Sequence, residues 1–126
     1  MIQKKKILSV DDSAIIRKII RGSVELLNYE LLEASDGNEA LSILAKEYEN
    51  IKLILLDWNM PGMNGFEFLK SIKKDALYKH IPVIMVSTES EKESIIKAVQ
   101  AGVSNYLLKP FTSEEITKKI IQCIGR

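Results

Sequence analysis

The chain has 126 residues, the length of one domain built around a single core. Hydrophobic residues make up 46% and charged residues 28%, the composition of an ordinary globular protein. Eighteen basic residues against seventeen acidic ones leave a net charge of +1, so nothing electrostatic favours nucleic acid or a membrane surface as partner.

The run Lys4, Lys5, Lys6 reads as a solvated flank before the first strand. The apolar "ILSV" after it is too short for a secretory core and meets two aspartates. No stretch approaches the roughly 18 apolar residues of a membrane span, so the expected location is cytoplasmic. "KKILSV" (5–10) is the first predicted strand. The first helix, 13–27, carries an apolar stripe at Ile16, Ile20, Val24 and Leu27. Gly22 interrupts it at about 1 kcal/mol relative to alanine, without an evident reason.

"YELLEA" (29–34) reads as the second strand. Asp36 then caps a helix, with Glu39 at the capping-box spacing and Ala40, Leu41, Leu44 and Tyr48 along it. "LILLD" (53–57) is a strand apolar enough to be buried on both faces. A helix follows at 64–75, and His80 falls in a surface loop. Next come a strand at 82–87, a helix at 91–102 closed by Gly102 in a left-handed cap, and a strand at 105–109. The last helix, 112–124, opens on the Thr112–Glu115 spacing. Its stripe Ile116, Ile120, Cys123, Ile124 makes Cys123 a small buried thiol, and a lone cysteine cannot form an internal disulfide.

Repeated strand–helix units with short connections predict an α/β fold, a parallel sheet with helices on both faces. Five strands fit the flavodoxin-like order 2-1-3-4-5, although periodicity alone does not fix it. In such folds the functional crevice lies beyond the carboxyl ends of the strands, between strands 1 and 3. Asp11 and Asp12 end strand 1, Asp57 ends strand 3, Ser87 and Thr88 end strand 4, and Lys109 ends strand 5 before Pro110. Each alone has an ordinary reading as a cap, a turn residue or a surface charge. Together, three carboxylates crowding one crevice call for a compensating cation, and Mg²⁺ suits an all-oxygen site best. A carboxylate nucleophile, a metal, an ammonium and a hydroxyl make a site for an aspartyl phosphate.

The segments "VDDS", "DWNMPGMNG", "VSTES" and "AGVSNYLLKPF", in that order, resemble the receiver domain of two-component response regulators. The likeness covers essentially the whole chain as one receiver domain, 1–126, with no output domain. It is nearest to the stand-alone chemotaxis receivers. The resemblance implies that Asp57 accepts the phosphoryl group and that Asp12, Asp57 and the main-chain carbonyl of Asn59 bind Mg²⁺, with Asp11 acting through water. It implies Ser87 as the switch hydroxyl, Lys109 as the phosphate-pairing lysine, Tyr106 as the aromatic switch, and a cis peptide before Pro110. Asn59 and Glu89 stand where family members differ in phosphate lifetime. By the same resemblance the domain catalyses its own phosphorylation and dephosphorylation. A histidine kinase is the implied donor. The implied output partner is a flagellar motor switch component on the face of the fourth helix, fifth strand and fifth helix. A receiver passing phosphate to a phosphotransfer protein is the alternative. A nucleotide hydrolase is a weak rival, since no G-x-x-x-x-G-K-[ST] loop is present. A flavin module would need a better phosphate cradle than paired acids, and no residues remain for a DNA-binding domain.

Overall fold

The computed structural model describes residues 5–125. Strands and helices alternate throughout: β1 (Lys6–Val10), α1 (Ala14–Leu26), β2 (Glu30–Ala34), α2 (Gly37–Glu47), β3 (Ile51–Asp57), α3 (Gly65–Lys74), β4 (Val83–Ser87), α4 (Lys92–Gln100), β5 (Asn105–Leu108) and α5 (Ser113–Ile124). The strands form one parallel sheet ordered β2-β1-β3-β4-β5, as predicted. β1 and β3 are central, so the chain reverses its direction of travel across the sheet between them.

The alternation of side chains along each strand divides the core in two. Leu8, Ile54, Leu56 and Met85 face one way, against Leu44 of α2, Phe68 and Ile72 of α3, and Ala98 of α4. Ile7, Leu53, Leu55 and Val86 face the other, against Ile20 and Val24 of α1 and Ile116 and Ile120 of α5. Fully burying an aliphatic or aromatic side chain contributes about 1.5–3 kcal/mol, and these positions are at most 1% exposed. Packing of this kind explains why the apolar runs read so clearly as strands.

Helix starts follow the local chemistry. Ser13 Oγ accepts from Ile16 N at 3.3 Å and caps α1. Asn64–Glu67 and Thr112–Glu115 form complete capping boxes at α3 and α5. At α2, Asp36 caps Glu39 N at 2.8 Å as predicted, but the Glu39 carboxylate reaches Ser35 N instead of the Asp36 amide. The helix ending near Gly102 closes through that residue at φ +108, the left-handed cap expected for glycine.

Three sequence readings need correction. Lys4 lies outside the described residues, and Lys6 is no solvated flank. It belongs to β1, and its ammonium is 2.6 Å from Glu47 and 3.6 Å from Glu30, tying the strand's start to its neighbours. Cys123 is half-buried rather than buried, with burial pushing its thiol pKa up. β3 begins at Ile51, two residues before its apolar run, because Lys52 points outward from an otherwise buried strand. His80 is exposed, as expected of a loop residue.

Candidate functional site

The register of the sheet brings the predicted polar residues to one crevice. Val10 of β1 lies beside both Ala34 and Leu56, so Asp11 and Asp57 leave neighbouring strands at the same height. Asp57 pairs with Val86, and Ser87 with Leu108, which carries Lys109 to the same rim. The Lys109–Pro110 peptide is cis, as the resemblance implies.

Lys109 Nζ stands 2.9 Å from Asp11 Oδ2 and 3.3 Å from Asp57 Oδ1. Asp11 Oδ1 also accepts from Ser13 N at 2.8 Å, which fixes its rotamer against the start of α1. Asp11 and Asp57 are 2% and 5% exposed, whereas Asp12 is open to solvent. One oxygen from each of the three carboxylates lies within 4.8 Å of the others. This all-oxygen donor set, with one open side, fits a hard divalent cation and not a soft one.

The electrostatics point the same way. Burial, then the charge of Asp11, pushes the Asp57 carboxyl up to about 6, despite Lys109 and a hydrogen bond from the Asn59 main-chain N–H. Burial pulls the Lys109 ammonium down, but Asp11 and Asp57 outweigh it and leave its pKa above the ordinary value. One ammonium therefore does not balance the negative charge of the crevice.

The two strand-4 hydroxyls separate cleanly. Ser87 is fully buried and Thr88 is exposed. Ser87 Oγ accepts from Glu89 N at 3.0 Å, and the Tyr106 hydroxyl donates to Glu89 O at 2.7 Å. The main chain of Glu89 thus links Ser87 to Tyr106, a connection that sequence spacing does not reveal. Burial raises the Tyr106 phenol pKa, opposed by the Ser87 hydroxyl and aided by the charges of Glu89 and Asp57.

Below Asp57 the loop turns sharply. Gly65 N donates to Trp58 O at 2.7 Å, and a Cβ on Gly65 would lie 2.0 Å from Asp57 O. Trp58 stacks on Phe66 with ring centroids 5.4 Å apart and an angle of 8°, and Lys70 Nζ sits 4.8 Å from the Phe66 centroid. This stack is also absent from the sequence reading, because it depends on that turn.

The family model for the response regulator receiver domain matches residues 7–121. The chain belongs to the response regulator receiver family. This receiver domain is 42% identical over 121 residues to the chemotaxis protein CheY homolog of Campylobacter jejuni, covering 95% of this chain and 92% of that protein. Its fold resembles chemotaxis response regulator CheY4 of Vibrio cholerae with a TM-score of 0.87 at 35% identity, covering 96% of this chain and 99% of that one. It also resembles a chain of the CheX–CheY–BeF3–Mg²⁺ complex from Borrelia burgdorferi, with a TM-score of 0.87 at 25% identity, covering 94% and 87%. No helix among the described residues of the receiver domain is long and apolar enough to cross a membrane.

Proposed function

We propose that this receiver domain is a phosphorylation-activated switch that takes a phosphoryl group from a histidine kinase onto Asp57 and signals in chemotaxis. The observation that carries the reading is the Asp57 carboxylate, held at the tip of a buried strand with Lys109 at 3.3 Å and two further carboxylates beside it. The chemotaxis name of the Campylobacter relative favours this output over a phosphorelay.

Asp11, Asp12, Asp57 and the main-chain carbonyl of Asn59 are the groups that would hold Mg²⁺. When bound, Mg²⁺ neutralises charge on the phosphoryl oxygens. An Asp57 oxygen attacks phosphorus in line, the phosphorus–nitrogen bond of phosphohistidine breaks, and its electron pair stays on the imidazole. Lys109, between Asp11 and Asp57, pairs with a phosphoryl oxygen and holds the acyl phosphate in place. Self-catalysed loss of phosphate is in-line attack by water on the same phosphorus, which breaks its bond to the Asp57 oxygen and releases orthophosphate and the free Asp57 carboxylate. Asn59 and Glu89, flanking the crevice, govern how water reaches it.

Ser87 Oγ accepts from Glu89 N, and its own hydroxyl hydrogen can turn to the phosphoryl group. Drawing Ser87 toward that group pulls on the Glu89 main chain, to which Tyr106 is anchored. Phosphorylation in this way biases the position of Tyr106 and the face of α4, β5 and α5, where a flagellar motor switch protein would bind.

Incubation with a small phosphoryl donor and Mg²⁺ should add one phosphoryl group, labile to hydroxylamine, and Asp57→Asn should add none. Equal labelling of the Asn variant would sink the assignment. A pull-down with phosphorylated protein should retain a flagellar switch component; retention of a phosphotransfer protein instead would identify a relay.

Trp58 supplies an optical reporter, being the only tryptophan and adjacent to Asp57. Mg²⁺ should change its fluorescence through the Phe66 stack, and Asp12→Ala should weaken the apparent affinity. Loss of a charged ligand should cost at least as much as loss of an outer partner, about 10–100-fold. A titration unchanged in Asp12→Ala would remove Asp12 from the ligand set.

A further inference from the structure

Gly37 opens α2 at a position where alanine is the better helix former. Its backbone does not call for glycine, since the positive-φ glycines among the described residues are Gly62, Gly102 and Gly125. Met63 does. A Cβ added at position 37 would lie 3.2 Å from Met63 Sδ, 3.4 Å from its Cβ and 3.6 Å from its Cγ. The thioether is laid along the main chain of the first residue of α2, in the space a side chain there would fill.

This seat fastens the β3–α3 loop to a second helix. The loop carries Asn59, whose carbonyl belongs to the proposed Mg²⁺ set, and closes through Gly65 N on Trp58 O at 2.7 Å. Met63 also packs against the core that Leu44 of α2 and Phe68 of α3 share. A thioether is apolar until it is oxidised, when it becomes polar and chiral. Of the four methionines, Met1 lies outside the described residues. Met60 is 8% exposed and Met85 fully buried, whereas Met63 is half-buried and open to solvent on one side. Cys123 is the one other oxidisable sulfur, and burial pushes its thiol pKa up, away from the reactive thiolate.

We propose that Met63 is a reversible oxidation site through which hydroperoxides loosen the phosphoacceptor crevice. The Sδ lone pair attacks the outer oxygen of the hydroperoxide and the O–O bond breaks. The proton on the transferred oxygen passes to the departing oxygen, which leaves as water or an alcohol. Sulfur is thereby oxidised by two electrons and the peroxide reduced by two. The sulfoxide is bulkier and more polar than the seat on Gly37 accepts, so the side chain leaves it and the loop with Asn59 loosens. The effect on Mg²⁺ rests on the proposed function; the oxidation site and the loosened loop do not.

Hydrogen peroxide should add one oxygen to Met63 before Met60 or Met85, as peptide mass spectrometry would show. In chelator, the oxidised protein should unfold at a lower urea concentration. With metal, the Mg²⁺ affinity read from Trp58 should fall by up to about tenfold, the share that a half-buried methionine contributes. Methionine sulfoxide reductases should restore both. Met63→Leu, a swap that cores tolerate, should bind Mg²⁺ normally and ignore peroxide. Gly37→Ala should weaken Mg²⁺ binding without any oxidant, because it unseats Met63. Oxidation of Met60 or Met85 first overturns the proposal, and so does an equal loss in peroxide-treated Met63→Leu. A sulfoxide at Met63 that leaves the urea midpoint unchanged overturns it as well. An unoxidised wild type with no response to Mg²⁺ would sink the metal reading alone, and the urea midpoint would still decide this one.

Discussion

Gly65→Ala should destabilise the domain by about 3 kcal/mol or more, at the upper end of overpacking effects, although it adds a single methyl group. The added Cβ would lie 2.0 Å from Asp57 O, 2.8 Å from Trp58 Cα and 2.9 Å from Asp57 C. All three are main-chain atoms, so no side chain can swing aside to make room. Relief must come from separating α3 from the end of β3, which breaks the 2.7 Å bond from Gly65 N to Trp58 O and displaces Asp57 itself. Urea unfolding should show a lower midpoint with an unchanged slope. Mg²⁺ affinity read from Trp58 should fall in the same variant. Gly62→Ala is the control for conformational strain alone. Gly62 has φ +73 with open space around it, so its cost should be only about 1–2 kcal/mol. Equal costs at the two positions would remove close approach as the role of Gly65.

The same residues show what a sequence can and cannot disclose. Leu53 to Leu56 announce a strand because the sheet is covered on both faces, and the burial of all four confirms the reason. The stripe at 16, 20, 24 and 27 marks the inward side of α1 because a helix buries one face, and Ile20, Val24 and Leu27 are the buried members. Local chemistry was equally legible at Asp36, Thr112 and Gly102, where partners lie within a few residues. What stayed hidden depends on chain segments meeting in space. Lys6 reads as the end of a basic run, yet finds Glu47 forty-one residues away. Nothing in the sequence singles out Lys73, yet its ammonium donates to Lys79 O and Ile81 O, and burial lowers its pKa. The crevice lies between these cases. Its residue types and order could be read along the chain, but their meeting depends on β1 lying next to β3, which periodicity leaves open.

In the absence of Mg²⁺, Asp57→Asn should be more stable than the wild type at neutral pH, by up to about 3 kcal/mol. Burial and Asp11 hold the folded-state pKa of Asp57 at about 6, against 3.8 for the free group. Below pH 3.8 the carboxyl is neutral in both states and costs nothing. Between 3.8 and about 6 the folded state binds more protons than the unfolded state, so stability falls as pH rises. Each pKa unit corresponds to about 1.36 kcal/mol, which gives the upper bound, and above about pH 6 the penalty is constant. Asparagine has the same shape and no charge, so the variant should lose this part of the pH dependence and match the wild type near pH 3.5. Lys109 keeps its 2.9 Å contact with Asp11 and is not left alone by the substitution. Mg²⁺ should then reverse the order: at about 100 times its dissociation constant a ligand adds about 2.7 kcal/mol, and the Asn variant lacks one anionic ligand. Urea unfolding of both proteins across pH, with chelator and with Mg²⁺, measures the two effects separately. If the Asn variant is the less stable protein in chelator at pH 7.5, the Asp57–Lys109 attraction outweighs burial, and the crevice is not short of positive charge.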